Sequence, residues 1–399
     1  MLRILFLSPR QCWPPISGAK LRDYHLARVL GRHAALTYVF FSSPGAPAPE
    51  LPFCRRLVAV PAPRAYTVGK IARGLVGRWP LPVMNYTSAQ MQTTLAAIVA
   101  DEQFDLVHID SIHLAALLPE LRRGCQAPIV YDWHNIESEA MRRYASLVES
   151  PARKLYAAVT GRRLAALEQR ILRGSFGHLV CSEREREQLH CLVPRARIRV
   201  VENGVDTRYF ESSGEVSDAR KRIVFVGTMG YHANVEAAVR FVRTIWPGIR
   251  KRFPGWLLTL VGSDPSPAVV ALRGEAGVEV TGTVDDVRPY YREALAAIVP
   301  LRTGGGTRLK ILEAMAAGVP VISTSFGAEG LPVSPGGNIL IADRDEDWAV
   351  QLDALSSWSD RWSSLALAGR CLVKSRYDWD AIGTSLYETY CAWTGPAER

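Results

Sequence analysis

Gly304-Gly305-Gly306-Thr307-Arg308-Leu309-Lys310-Ile311-Leu312-Glu313-Ala314-Met315 joins three consecutive glycines to an amphipathic helical pattern. Without Cβ atoms, the glycines let a ligand come close to the backbone. Thr307 can cap a helix in which Leu309, Leu312, Met315 and Ala316 recur at helical spacing. A helix start offers unpaired N–H groups and partial positive charge, a setting that suits phosphate. Arg308 and Lys310 add full charges there, and Glu313 follows on the side of Lys310. The pattern predicts a cation-rich cradle for a nucleotide diphosphate, with one carboxylate, Glu313, behind it. The competing reading is an ordinary glycine loop with solvated cations and a Lys310–Glu313 salt bridge.

Outward from this loop, short apolar runs alternate with amphipathic stretches. Strands are predicted over 3–7, 36–41, 106–109, 129–131, 178–181 and 198–201, with helices over 19–30, 88–101, 152–172 and 183–191. The pattern restarts with strands over 222–226, 257–261, 278–281, 296–300 and 319–323, and helices over 234–252, 286–294 and 307–317. Such alternation implies parallel sheets covered on both faces. The expected architecture is α/β: two Rossmann-like, doubly wound domains over residues 1–205 and 206–375, with a cleft between them. A hinge is expected over 203–218. Ligands of such sheets bind beyond the carboxyl ends of the strands, and the glycine loop directly follows the strand predicted at 296–300. A last helical pattern over 382–393 puts Leu386, Tyr387, Tyr390 and Trp393 on one face.

A chain of 399 residues suits two domains, and 48% apolar with 22% charged residues are globular values. Seven cysteines without a C-x-x-C pair predict neither a disulfide framework nor a zinc site, and a reducing cytosol is the simplest compartment. The run Ile4–Leu7 is too short for a signal-peptide core, and no apolar run is long enough to span a membrane. The formal charge of +9 divides into +12 over residues 1–200 and −3 over 201–399. The basic half suits anionic lipid or an anionic acceptor. Nucleic acid is not expected as a partner, since no zinc-finger spacing, RNP-like aromatic signature or basic tail occurs.

Several segments together resemble the GT-B-fold retaining glycosyltransferases, specifically their family four. Pro14-Pro15-Ile16-Ser17-Gly18-Ala19-Lys20 looks like that family's first glycine loop. Val201-Glu202-Asn203-Gly204-Val205-Asp206 looks like its interdomain signature. Val226-Gly227-Thr228 opens the second domain, and Val280-Thr281-Gly282-Thr283-Val284-Asp285-Asp286-Val287 is similar to its base-contacting turn. Leu312-Glu313-Ala314-Met315-Ala316-Ala317-Gly318-Val319-Pro320-Val321-Ile322 is similar to its donor-site helix and following strand.

The resemblance implies a nucleotide-sugar donor on the second domain and a glycan or lipid-linked acceptor on the first. It also implies transfer with retention, no cofactor and no metal, and a final helix (376–399) that crosses back onto the first domain. Gly18, Gly227, Gly282, Val284, Gly304, Gly305, Gly306, Thr307 and Glu313 would bind the donor. Arg308 and Lys310 would neutralise the departing diphosphate, and His134 would lie near the reacting sugar. Asp110, His113 and Asn135 are acceptor-side candidates. The chain departs from the family where Gly305 replaces the first carboxylate of a Glu-x7-Glu pattern. Thr228-Met229-Gly230-Tyr231-His232-Ala233-Asn234 also lacks the usual Arg and Lys, so backbone N–H groups, Arg308 and Lys310 are expected to substitute.

Asp343-Arg344-Asp345 and Asp378-Trp379-Asp380 read as surface or capping carboxylates rather than a metal pair. Residues 65–82 combine Lys70, Arg73 and Arg78 with Tyr66, Val68, Ile71, Leu75, Val76 and Trp79. Their pattern is that of a peripheral contact with an anionic membrane, or else of an ordinary helix. The leading expectation is a cytoplasmic transferase in polysaccharide or glycolipid biosynthesis, peripheral on the inner membrane face. A GT-B-fold sugar-nucleotide epimerase and a non-catalytic nucleotide-sugar-binding partner are the alternatives. A dinucleotide dehydrogenase is not favoured, because Ser8-Pro9-Arg10-Gln11 stands where G-x-G-x-x-G would.

Overall fold

The computed structural model describes residues 1–15, 17–43, 45, 49–148, 150–211, 221–304, 308–357 and 359–395. The chain forms two compact units, Met1–Asn203 with Ile382–Arg399, and Gly204–Ala381.

The first unit contains β1 (Arg3–Ser8), β2 (Ala35–Ser42), β3 (Arg56–Pro61), β4 (Leu106–Asp110), β5 (Ile129–Trp133), β6 (Gly177–Val180) and β7 (Ile198–Val200). Its seven strands lie in the order β3-β2-β1-β4-β5-β6-β7, and every pairing is parallel. Ile4, Leu5, Phe6 and Leu7 of β1 are all buried, as a strand covered on both faces requires. The second unit contains β8 (Arg222–Val226), β9 (Leu257–Val261), β10 (Val278–Gly282), β11 (Ala294–Val299), β12 (Val321–Ser323) and β13 (Leu340–Ile341). These six strands are also parallel, in the order β10-β9-β8-β11-β12-β13. In both sheets the chain starts in the middle and its direction of travel reverses once, between β1 and β4 and between β8 and β11. At such a point two neighbouring loops leave in opposite directions and open a crevice.

The expected doubly wound α/β class is observed, with local differences. β3 and β13 were not expected. Each is an edge strand, β3 is half-exposed behind Arg55 and Arg56, and β13 has two residues, so neither carries a buried apolar run. The helix predicted over 234–252 is divided by a π turn at Phe241–Ile245, where Trp246 N donates to Phe241 O one residue ahead of Pro247. Proline has no N–H to give to the preceding turn, and the wider turn absorbs that loss. The glycine-loop helix runs Leu309–Ala316 with Arg308 at its N-cap position, so the cap is not the expected Thr307. Gly305, Gly306 and Thr307 lie outside the described residues, as does the expected hinge beyond Glu211. The start of that hinge is fixed within the second unit. Val205 N donates to Tyr377 O at 2.8 Å, Trp379 N donates to Val205 O at 3.3 Å, and Thr207 Oγ1 donates to Asp378.

Residues from Ile382 onward pack on the first unit. Tyr390 is fully buried with its Oη 2.6 Å from His108 Nδ1, Tyr387 stacks on His33, and the Trp393 ring covers Gly177. All seven cysteines are free.

The carboxyl ends of β8, β9 and β10 are closed by Gly227, Gly262 and Gly282. Gly227 N donates to Val261 O at 2.9 Å and Gly262 N to Gly282 O at 3.3 Å. Gly262 has φ +152°, and a Cβ there would lie 1.7 Å from Gly227 O. No rotamer change removes a clash with backbone. Gly262→Ala should therefore cost the second unit about 3 kcal/mol or more. A denaturant titration of the full chain showing parental stability would contradict this packing.

Candidate functional site

In the first unit, a charged cluster straddles the β1/β4 reversal. Ser8 ends β1, Asp110 ends β4, His134 directly follows β5, and Asp23 projects from the helix Gly18–His33. His134 Nε2 is in ion-pair contact with Asp110 Oδ1 and lies 3.5 Å from Asp23 Oδ1. Arg10 Nη1 lies 3.8 Å from Asp23 Oδ2 and 3.7 Å from Asp110 Oδ2. Ser8 Oγ sits 2.9 Å from Asp23 Oδ2. Burial opposes a charge on His134, but the Asp110 and Asp23 carboxylates outweigh it and lift the imidazole from 6.5 to about 10. For Asp110, the facing His134 and Arg10 cations outweigh burial and hold the carboxyl below its ordinary range. Burial and the neighbouring Asp110 charge push Asp23 up instead. Two like charges this close cannot both ionise freely.

Asp23, Asp110 and His134 present three ligand-type atoms within 4.8 Å of one another. The positive charge a metal would supply is already there, on Arg10 and on protonated His134. The set fits an ion cluster better than a dication site.

Beneath it lies a second charged pair. Arg22 grips Asp132 through two hydrogen bonds of 2.8 Å, and Nη1 donates to Val201 O at 2.7 Å and to Asn203 Oδ1 at 3.1 Å. Both side chains are essentially unexposed, and the fork is satisfied on every side described. This is the geometry in which a buried pair is tolerated.

The sequence-derived candidates divide. His134 is 13% exposed, so one face is open to a ligand. Asp110 is fully buried and acts on His134 rather than on an acceptor, which corrects the expectation of an acceptor contact. His113 lies in the wall of a cavity of about 920 Å³ that also reaches Arg10. Burial pushes its imidazole down to about 4. Asn135 is exposed, and Gly18 opens the first helix, also exposed. Sequence reading missed Arg10, Asp23 and Arg22. Arg22-Asp23 resembles a surface pair on an amphipathic helix, and only the fold turns both inward.

In the second unit, Lys310 lies beside Gly227, its ammonium 3.1 Å from where a Cβ on that glycine would be. Its Nζ donates to Asn234 Oδ1 at 2.6 Å and stands 4.8 Å from the centre of the Phe225 ring. Burial dominates over the attraction of Glu313, and Arg308 adds repulsion, so the amine is pushed down to about 7. The Glu313 carboxyl is raised by burial, with Lys310 opposing. Gly304 has φ +111°, and a Cβ there would meet the Ala233 methyl at 2.9 Å. Gly227, Gly304, Lys310 and Glu313 therefore gather at the β8/β11 reversal, and Gly282 joins Gly227 through Gly262. Val284 instead lines a depression of about 580 Å³ with Arg222 and Glu293. The Arg308 guanidinium is buried over the Phe326 ring, 5.0 Å from its centre, and Nη2 donates to Phe326 O at 3.3 Å. Asn234 was overlooked because an amide within an apolar helix gives no pattern.

The carboxylate pairs read as caps do accept backbone N–H groups. Asp378 Oδ1 takes Asp380 N at 2.8 Å, and Asp343 Oδ1 takes Ser325 N at 2.7 Å.

Because the His134 pKa is raised on folding, its stabilising contribution is fully present below 6.5 and is lost as the pH rises through about 10. Asp110→Asn removes the nearer carboxylate. In the parent, the His134 ring resonances should titrate near 10 by NMR. In the variant they should titrate at least about one pH unit lower, with about 3 kcal/mol lost from the first unit. An unchanged titration would remove Asp110 from this role.

Residues 22–204 match the glycosyl transferase 4-like domain, and residues 220–357 match the family described as glycosyl transferases group 1. The chain is 30% identical over 217 residues to a GDP-mannose-dependent alpha-(1-6)-phosphatidylinositol monomannoside mannosyltransferase of Mycobacterium tuberculosis, covering 48% of this chain and 55% of that one. The matches span about half the length of the curated relatives. Among solved structures, sucrose-phosphate synthase from Thermosynechococcus elongatus aligns over 98% of this chain and 99% of its own, with TM-score 0.71 and 18% identity. Anabaena Alr3699/HepE in complex with UDP and glucose aligns over 98% and 99%, with TM-score 0.64 and 16% identity. The identities are low enough that these two structures speak for the fold alone. Family matches to both units, on a fold that follows these structures from end to end, mean that the chain belongs to the GT-B glycosyltransferases.

Proposed function

We propose that the chain moves a sugar from a nucleotide-diphosphate sugar, bound by the second unit, to a glycan or lipid-linked acceptor bound by the first. The proposed transfer retains anomeric configuration and needs no metal. The observation that carries this reading is Lys310, whose hydrogen-bond partner is an amide rather than a carboxylate. It is a buried amine at the sheet's ligand edge, pushed toward neutrality. An incoming pyrophosphate would recharge it. As the glycosidic bond breaks, negative charge grows on the departing diphosphate, and a fixed cation there lowers the barrier by about 3 kcal/mol. The glycine loop would add backbone N–H groups, and Glu313 would hold the ribose. The leaving phosphate itself would take the acceptor proton. The name of one relative lends support, being GDP-mannose-dependent.

The epimerase alternative gains paired carboxylates and a histidine in Asp23, Asp110 and His134. Both carboxylates are, however, 1% exposed or less, out of reach of a substrate.

No helix among the described residues is long and apolar enough to cross a membrane. The helix Val68–Val76 leaves Val68 and Ile71 exposed beside Arg73, whereas Lys70 Nζ turns inward to Asn85 O at 3.1 Å and Thr87 O at 3.3 Å. The side chains of Leu75 and Val76 lie outside the described set. We infer a peripheral contact with anionic lipid at this helix. Flotation with phosphatidylglycerol vesicles at physiological salt should carry the chain upward, and loss of Arg73 should weaken it. A chain that stays at the bottom ends this part of the proposal.

In a thermal-shift panel of UDP-, GDP- and ADP-sugars, one nucleotide class should raise the melting temperature, and Glu313→Ala should abolish the shift. Calorimetry of the free nucleotide diphosphate near pH 8 should show proton uptake, since Lys310 is mostly neutral before binding and charged after, and Lys310→Ala should remove it. The donor reading fails if no nucleotide sugar shifts the melting temperature.

A further inference from the structure

The cavity of about 920 Å³ in the first unit is near the upper end of small-molecule sites, roughly 300–1,000 Å³. It is too large for one sugar ring. Its wall holds Trp13, Phe41, Tyr66, Tyr86, His113 and Tyr156. Beside the rings the described wall carries five prolines and two alanines, and Met141 is its one long apolar side chain, so an acyl chain would meet short, rigid groups rather than flexible ones. Aromatic faces suit instead the C–H faces of pyranose rings, while Asn85 and Arg10 offer polar partners for the hydroxyl rim.

Four of the six rings rest on aromatic neighbours. Trp13 rests against Tyr24 with centroids 5.1 Å apart. Phe41, Tyr86 and His113 form a continuous series, at 6.3 and 5.2 Å. One wall position, Tyr66, and Ser111, two residues before the wall residue His113, are built on backbone that side chains rarely adopt. Tyr66 has φ 54° and Ser111 has φ 73°. Each is pinned by a side-chain hydrogen bond. Tyr66 N donates to Asn85 Oδ1 at 3.0 Å, and the Ser111 Oγ accepts from His113 N at 3.3 Å while lying 2.5 Å from His113 Nδ1. Strain of this kind persists where surrounding structure imposes it, and it concentrates at ligand sites. Tyr66 is 68% exposed, so its own packing does not repay the strain. At the inner end, Arg10 joins the cavity to the His134 cluster.

We propose that this cavity binds an acceptor glycan of two or more sugar rings, stacked on Trp13 and Tyr66 with hydroxyls turned to Asn85 and Arg10. The proposal rests on the acceptor role given to the first unit, and it names the acceptor's class. A single sugar, a bare lipid phosphate or a nucleoside would leave most of the aromatic wall uncovered.

The test is a glycan array of mono- to pentasaccharides built from glucose, galactose, mannose, rhamnose and N-acetylhexosamines, probed with the labelled full chain. Retention of at least one glycan of two or more rings, and of no monosaccharide, is expected. Trp13→Ala and Tyr66→Ala should each weaken that binding about tenfold or more, and Tyr66→Phe should keep it. Tyr66→Gly relieves the backbone strain, so it should melt no lower than the parent and still lose the glycan. Binding of no glycan, equal binding of monosaccharides, or indifference to Trp13 and Tyr66 overturns the proposal. The same preparations are put through the nucleotide-sugar melting panel. A donor shift without glycan binding ends this inference alone, and glycan binding without a donor shift ends the donor reading alone.

Discussion

A parallel strand cannot be joined to its neighbour by a tight turn, so each connection must cross a face of the sheet. When the chain begins in the middle and builds outward both ways, two adjacent loops diverge at one place. Both sheets here obey that constraint, at β1/β4 and at β8/β11. The candidate site residues collect at these two places. Ser8, Asp110 and His134 mark the first, and Gly227, Gly304 and Lys310 the second. No conserved loop shape is needed to explain their meeting, because strand order alone brings the carboxyl ends together.

The two places treat buried charge differently. The first unit balances its charges locally, with Arg22 on Asp132, and with Arg10 and His134 on Asp23 and Asp110. Taking such groups out of water is tolerable only when each is paired and hydrogen-bonded. Such an arrangement holds a histidine in one protonation state and one orientation. At the second place, Lys310 faces an amide and a ring rather than a carboxylate. Its hydrogen-bond partner carries no charge and the attraction of Glu313 does not offset burial, so the amine is pushed down to about 7. A rigid ion cluster and an under-compensated amine are suited to positioning and to anion capture respectively.

Packing of small residues supports both. Gly262 lets the ends of β8 and β9 touch backbone to backbone, and Gly304 lets its loop lie on Ala233. Each exploits the missing Cβ to bring main chain where a side chain would block it.

Most of the buried strands were legible as uninterrupted apolar runs, because a strand covered on both faces has no polar side to interrupt it. β3 and β13 were not, since an edge strand carries little of that signal. The glycine loop and its helix announced Lys310 and Glu313 through local spacing. The partners of these groups could not be read in the same way. Asp23 meets Asp110 across 87 positions of chain, Asn234 meets Lys310 across 76, and Arg22 meets Asp132 across 110. Amino-acid order by itself determined the parallel α/β class and the chemistry available at the strand ends, because periodicity and glycine act over a few residues. Only tertiary structure decided which charges are neutralised, which amine is set against an amide and a ring, and where an aromatic wall closes. Those outcomes depend on burial and on contacts between residues far apart in the chain.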